Sequence, residues 1–210
     1  MGRSSILVAA ALLLAATLGC AARHETVTLP PRIDLKQHET IGIIDFSTSS
    51  KGKLGPLATR RFTEAARQDQ GLVRMLEFGP ESAALSRVGG GDLGPEAIRA
   101  LGDEFGVQTI LTGELTVSDV KPDVVISALR SGSLTARVDA TLAVRLIETS
   151  TGASIWSSSA RSSQSVAEVS VWKGGGFVFD ADDPDRAYGD LVDSLVAQVT
   201  QDFRVRYERR

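Results

Sequence analysis

The stretch Leu134 to Leu146, LTARVDATLAVRL, alternates apolar and polar side chains over thirteen residues. Leu134, Ala136, Val138, Ala140, Leu142, Val144 and Leu146 fall on one side, and Thr135, Arg137, Asp139, Thr141, Ala143 and Arg145 on the other. Successive strand residues point to opposite faces of a sheet, so this pattern describes a strand with one buried face. Thr149 to Gly152 is a turn, and Ala153 to Arg161 returns as the partner strand, which makes a long antiparallel hairpin.

Upstream, IGIIDF (Ile41 to Phe46) is nearly all apolar, as a strand buried on both faces requires. Leu54 to Gln70 carries Leu54, Leu57, Ala58, Phe62, Ala65 and Ala66 at helical spacing, with Gly71 as its stop. Leu72 to Leu76 reads as a short strand, and Pro80 to Ser86 as one or two helical turns. Pro95 opens another helix, with Ala97, Ile98, Leu101 and Phe105 on one face and Gly106 at its end. Val107 to Val117 follows as a strand. Asp183-Pro184 caps a last helix whose stripe is Tyr188, Leu191, Val192, Leu195, Val196, Val199 and Phe203. Arg204, Arg206, Arg209 and Arg210 are read as the basic end of that helix, favourable to its dipole. The expected fold class is therefore α/β: a mixed sheet with helices packed on it, a long antiparallel hairpin and a C-terminal helix.

The bulk numbers bound the function. The chain has 210 residues and a formal net charge of -3, so it has no basic field to gather nucleic acid. Its single cysteine is Cys20, and its two histidines, His24 and His38, precede the first core strand. A Cys/His zinc cluster, and a Ser-His-Asp or Cys-His site inside the folded core, are thereby excluded by count. Asp180, Asp182, Asp183, Asp185 and Asp190 lack the spacing, glycine and closing glutamate of a calcium loop. Gly89-Gly90-Gly91 and Gly174-Gly175-Gly176 do not have the form of phosphate loops. Asp45, at the end of a buried strand, is read as a cap or ion-pair partner, and Ser118, Asp119 and Lys121 as part of a Lys-Pro turn. The expectation is a protein that is not an enzyme, with no cofactor, no metal and no catalytic residue.

The first residues give the address. Arg3 is followed by Ile6 to Leu18, thirteen non-polar or small residues. That is short of the roughly 20 that a spanning helix needs, and it fits the apolar region of an export signal. The run ends in Thr17-Leu18-Gly19-Cys20, which resembles a lipobox. By that resemblance, residues 1–19 are a lipoprotein signal peptide, Cys20 is the lipidation site, and Ala21 in place of aspartate favours the outer membrane over the inner. Residues 20–39 are the lipidated cysteine and a linker. The linker, Ala21 to Glu39, holds Pro30-Pro31 and shows no period. Extended, it would reach at most ~65 Å.

Three segments carry a further resemblance: IGIIDF; ALGDEFGVQTILTGEL (Ala100 to Leu115); and VRLIETSTGASIWSS (Val144 to Ser158), in which a strand, a Thr-Gly turn and Trp156 follow in order. In this order behind a lipobox, they resemble a family of envelope lipoproteins that includes the curli secretion lipoprotein CsgG and the penicillin-binding-protein activator LpoB. The resemblance implies one domain over residues 40–207 and protein–protein work at the periplasmic face of the outer membrane. Its partners would be envelope proteins, a peptidoglycan synthase or a secretion partner among them, with homo-oligomers also open. An LpoB-like activator or assembly factor is the first reading, and a component of a CsgG-like oligomeric secretion channel is the alternative. The channel reading directs attention to Ser118 to Ser133 and Ser162 to Asp183. The second segment contains a hairpin with a glycine tip, and Val169, Val171, Trp172, Phe177 and Phe179 are its candidate interaction residues.

Overall fold

The computed structural model describes residues 26–122, 135–171 and 177–209. Cys20 and Trp172 lie outside the described residues, as do Leu134 and the glycine tip. The chain falls into two compact units. One is residues 31–204; in the other, residues 26–30 and 205–209 come together.

In the larger unit, one six-stranded sheet is built from β2 (Ile41–Ile44), β3 (Ser47–Thr48), β5 (Met75–Gly79), β6 (Thr109–Pro122), β7 (Thr135–Glu148) and β8 (Ser154–Ala167). The strand order is β5-β2-β6-β7-β8, with β3 also on β6. β5, β2 and β6 run parallel, while β6, β7 and β8 are successively antiparallel, so the sheet is mixed. A three-stranded sheet joins β4 (Lys51–Gly52), β10 (Phe177–Phe179) and β9 (Val169–Val171). The smaller unit is an antiparallel ribbon of β1 (Thr26–Leu29) and β11 (Arg206–Arg209).

The alternation of β7 does what its sequence requires. Ala136, Val138, Ala140, Leu142, Val144 and Leu146 are all buried, and Arg137, Ala143 and Arg145 are exposed. Two helices cover the buried face: α1 (Leu54–Arg67) and α4 (Pro184–Val199). Among the described residues, the opposite face is covered at the parallel end, by α2 (Glu81–Val88) and α3 (Pro95–Phe105). Ile44, Ile110 and Ile147 from the sheet meet Ala84, Ile98 and Leu101 there. Asp183 caps α4 by accepting a hydrogen bond from the Arg186 backbone N–H at 3.2 Å, with Pro184 in the first turn. Gly106 ends α3 in the left-handed conformation, φ 61°, which a side chain would oppose.

The structure corrects several sequence expectations. The strand after α1 is Met75–Gly79, and Leu72 is fully exposed. Pairing decides this, since Ile41 of β2 lies opposite Met75. The stretch read as a linker carries both β1 and a 3-10 turn at Leu35–Gln37, with Leu35 wholly buried. Helix α4 stops at Val199; Phe203 sits in a 3-10 turn, and Arg206 and Arg209 are in β11. The basic residues therefore do not close the helix dipole. Lys121-Pro122 is the end of β6 and not a turn.

Gln70, which no motif pointed to, holds this arrangement together. It is buried; its Oε1 accepts from the Leu35 backbone N–H at 2.8 Å, and its Nε2 donates to the Ile33 and Phe203 carbonyls at 2.9 and 2.7 Å. Replacing Gln70 by leucine would strand one donor and two acceptors away from water. Each unsatisfied group costs about 1–3 kcal/mol, so Gln70→Leu is expected to destabilise by about 3 kcal/mol or more in chemical denaturation. A change under about 1 kcal/mol would mean that these groups find other partners.

Candidate functional site

Beyond the cover of α2 and α3, the outer face of β6, β7 and β8 is polar. The register sets Glu114 opposite Ala143 and Thr116 opposite Thr141 on β6 and β7. On β8, Ser157, Ser159, Arg161 and Ser163 lie opposite Arg145, Ala143, Thr141 and Asp139. All four of these β8 residues are exposed, as are Glu114, Thr116 and Arg145. One cross-face side-chain bond between β8 and β7 is long, with Arg161 Nε donating to Thr141 Oγ1 at 3.4 Å. The face is thus mainly hydroxyls and mixed charges, with the small Ala143 among them and Ile155 exposed near the start of β8. It suits hydrogen bonding to another polar surface and gives no enclosed apolar pocket.

Strand β8 is also the sheet's outer strand on this side. Its fourteen residues, SIWSSSARSSQSVA, contain no lysine and no proline, two of the devices by which natural proteins discourage strand addition at an edge. A strand from a partner could extend the sheet here. The sequence pattern carries this strand only as far as Arg161, because Ser162, Ser163 and Ser165 are weak strand formers. The missed signal is the continuing alternation of Ala160, Ser162, Gln164 and Val166, whose partners Leu142, Ala140, Val138 and Ala136 are all on the buried face.

The two described arms of the hairpin singled out from the sequence set three of its side chains against the core. β9 and β10 pair antiparallel, with Val169 opposite Phe179. Phe179 is wholly buried, its ring edge-on to Tyr188 at 5.2 Å, and Val169 and Phe177 are partly buried against the same core. Of the five candidate residues, three are thus in or on the core. Nothing is described of the Val171 side chain, and Trp172 is outside the described residues. The base of the hairpin is clasped by one hydroxyl: Tyr188 Oη donates to the Glu168 carbonyl and accepts from the Ala181 N–H, both at 3.0 Å. Burial holds the Tyr188 phenol above its usual pKa, so it stays a donor. Glu168 sits at φ 58°, a left-handed conformation unusual for a side-chain-bearing residue. Tyr188→Phe is expected to cost about 1–2 kcal/mol and to speed amide hydrogen exchange in β9 and β10. Unchanged exchange there would show that Phe179 packing alone holds the hairpin.

Two other recesses on the protein are polar. A cleft of about 390 Å³ at the C-terminal ends of β2 and β5 is lined by Asp45, Glu77, Arg60 and Arg67. Burial first, and then Glu77, push the Asp45 carboxyl above its usual pKa. Asp45 makes no side-chain hydrogen bond or ion pair among the described residues, contrary to the cap or ion pair expected of it. A second cleft, about 520 Å³, lies where α3 ends and β6 begins, with His38, Asp103 and Glu148 on its walls. Burial lowers the His38 pKa against the pull of Asp34 and Glu148, which favours neutral imidazole. Among the described residues no three metal-binding side chains converge. Asp185, part of the acidic run, is held below the usual carboxylate range by Arg60 first and then Arg61, and it ties α4 to α1.

Trp156 lies against the C-terminal turn, its ring 4.5 Å from that of Phe203 and its Nε1 donating to Asp202 Oδ2 at 3.2 Å. No helix among the described residues is long and apolar enough to cross a membrane.

By its fold this chain is a mixed α/β protein with helices on both faces of one sheet. No family model matches the sequence, and no curated protein does. Among solved structures, it is similar to the PelC dodecamer from Paraburkholderia phytofirmans, at TM-score 0.46 and 13% identity, over 87% of this chain and 99% of that one. It is similar to the LpoB C-terminal domain from Escherichia coli at TM-score 0.38 and 14% identity, over 72% and 93%. A lipoprotein from Neisseria meningitidis gives TM-score 0.39 and 16% identity, over 60% and 83%.

Proposed function

We propose that this chain is an outer-membrane lipoprotein, anchored through Cys20 on the periplasmic side, that binds another envelope protein and performs no catalysis itself. The observation that carries the reading is Thr17-Leu18-Gly19-Cys20 behind an apolar run of thirteen residues, with the chain's one cysteine at the position that the lipobox requires. The polar face and the position of β8 as the outer strand among the described residues support a protein partner. Hydroxyls and arginines there can pair with a complementary surface, and the edge can accept a strand. Within this reading, an LpoB-like activator of a peptidoglycan synthase, or an assembly factor, is the role we favour.

Site-specific photo-crosslinking in cells tests the surface. A probe at Ser159 or Ser163 is expected to capture one envelope protein, and a probe at exposed Glu104 on α3 is not. Equal capture from both positions, or none from β8, would remove the β8 surface from the proposal.

A second reading, an oligomeric secretion channel, draws on β6 and β7. Each has fourteen residues, more than the ~9–11 that a membrane strand needs. Against it, Asp119 lies opposite Asp139, and Lys121 opposite Arg137, near the far end of the pair. Charges of that kind facing lipid would be costly. Light scattering of the detergent extract separates the two readings, since a ring-sized mass favours the channel and a monomer the tethered module.

A further inference from the structure

The β1–β11 ribbon joins the two ends of the chain in a way that bears on the membrane. β1 begins at Thr26, six residues after Cys20. Six residues reach at most about 22 Å, so with Cys20 acylated, Thr26 lies within about 22 Å of the bilayer surface. The register then fixes what stands beside it. Thr26 pairs with Arg209, Thr28 with Tyr207, and Leu29 with Arg206. The ribbon end nearest the anchor is therefore the end at which Thr26 pairs with Arg209.

The chemistry of this strand departs from that of the protein as a whole. Val205 to Arg210 holds three arginines and one glutamate, in a chain whose formal net charge is -3. Tyr207 is 71% exposed, one of four large hydrophobic side chains open to solvent among the described residues, and Thr26 and Thr28 on its face are exposed as well. Exposed tyrosine beside arginine is the pairing that settles at a headgroup boundary, where the ring is part-buried and the cation meets phosphate.

We propose that the β1–β11 ribbon docks on the anionic phospholipid headgroups of the anchoring membrane, as a second membrane signal beside the acyl chains. The inference rests on the lipid-anchor reading above. Acylation concentrates the ribbon at the surface, and the arginines, brought within range of a headgroup layer whose field fades over about 10 Å, add an electrostatic attraction that salt weakens. The anchor then holds the protein by two attachments.

The test uses the acylated protein, with the mass of its N-terminal peptide read first. It is inserted into vesicles of phosphatidylcholine alone, or of phosphatidylcholine with phosphatidylglycerol, and amide hydrogen exchange is followed along the chain. Slowed exchange at Thr26–Leu29 and Arg206–Arg209 in the phosphatidylglycerol vesicles only, reversed by high salt, is the expected result. In Arg209→Ser/Arg210→Ser the attraction is expected to weaken by roughly 25-fold, about fivefold per arginine. Equal ribbon exchange in both vesicles, with the acyl mass present, overturns the ribbon proposal and leaves the anchor intact. A missing acyl mass overturns the anchor; the ribbon is then decided by flotation of the unacylated protein. Flotation with phosphatidylglycerol vesicles alone supports the ribbon, and no flotation overturns it. If the double variant fails to fold, the salt and lipid dependence of the parent protein decides.

Discussion

Phe62→Ala is expected to lower the unfolding free energy by about 4 kcal/mol, within the range for buried aromatic truncations. For a chain of this size that is a fall in Tm of roughly 10 °C by calorimetry. Phe62 has no exposed surface, and its ring stands edge-on to Phe46 at 5.2 Å and to Phe203 at 6.1 Å. Phe203 in turn contacts Trp156. One run of rings thus connects the end of β2, helix α1, the C-terminal 3-10 turn and strand β8. Removing Phe62 opens a cavity in the middle of it, and the neighbouring rings are too rigid to collapse inward. A double-mutant cycle with Phe203→Leu is expected to show a coupling of at least about 0.5 kcal/mol. Independent, additive effects would mean that the rings are neighbours without being an energetic unit.

That run of rings also shows what the sequence could and could not tell. Phe62 was legible as a helix-face residue and Trp156 as a strand residue packed on the sheet, because each lies in a regular element with a measurable period. Spacing from Val199 puts Phe203 on the helical stripe, yet the helix ends at Val199. There the Thr200 hydroxyl donates to the Val196 carbonyl at 2.7 Å, beside the Thr200 backbone N–H, which donates to the same carbonyl at 3.0 Å. Gln70 left no trace in the pattern, because a buried glutamine is defined by the distant backbone groups that it satisfies. The same holds for Tyr188, which periodicity placed correctly on a buried stripe without revealing that its hydroxyl clasps a hairpin. The hairpin of β9 and β10 was visible as two short apolar arms. Its direction was not, because alternation over three residues cannot say which side meets the core. Strand β1 was invisible for a related reason: four residues, TVTL, become a strand only when β11 lies beside them.

Cys20→Ser is expected to move nearly all of the protein from the membrane pellet to the soluble periplasmic fraction. Each acyl methylene buried in a bilayer contributes about 0.8 kcal/mol, so losing the chains removes far more than any surface contact could replace. The melting temperature should stay where it was, because the buried residues that carry the fold lie between Leu35 and Phe203. The mass of the variant gives the result its meaning. With Cys20 gone, a lipobox signal has no substrate for acylation or cleavage, so any variant that keeps Ile6 to Leu18 pellets as an uncleaved export signal. A pelleted variant of full mass therefore still agrees with a lipobox. A pelleted variant of cleaved mass does not: its attachment would have to lie in the folded chain, with the β1–β11 ribbon as the first place to mutate. If instead the wild-type protein, cleaved before Cys20, carries no acyl mass, the thiol is free and the anchored reading is wrong at its first step. The chain would then be a soluble exported protein, and the polar face of β6 to β8 would have to find its partner by diffusion rather than along a membrane.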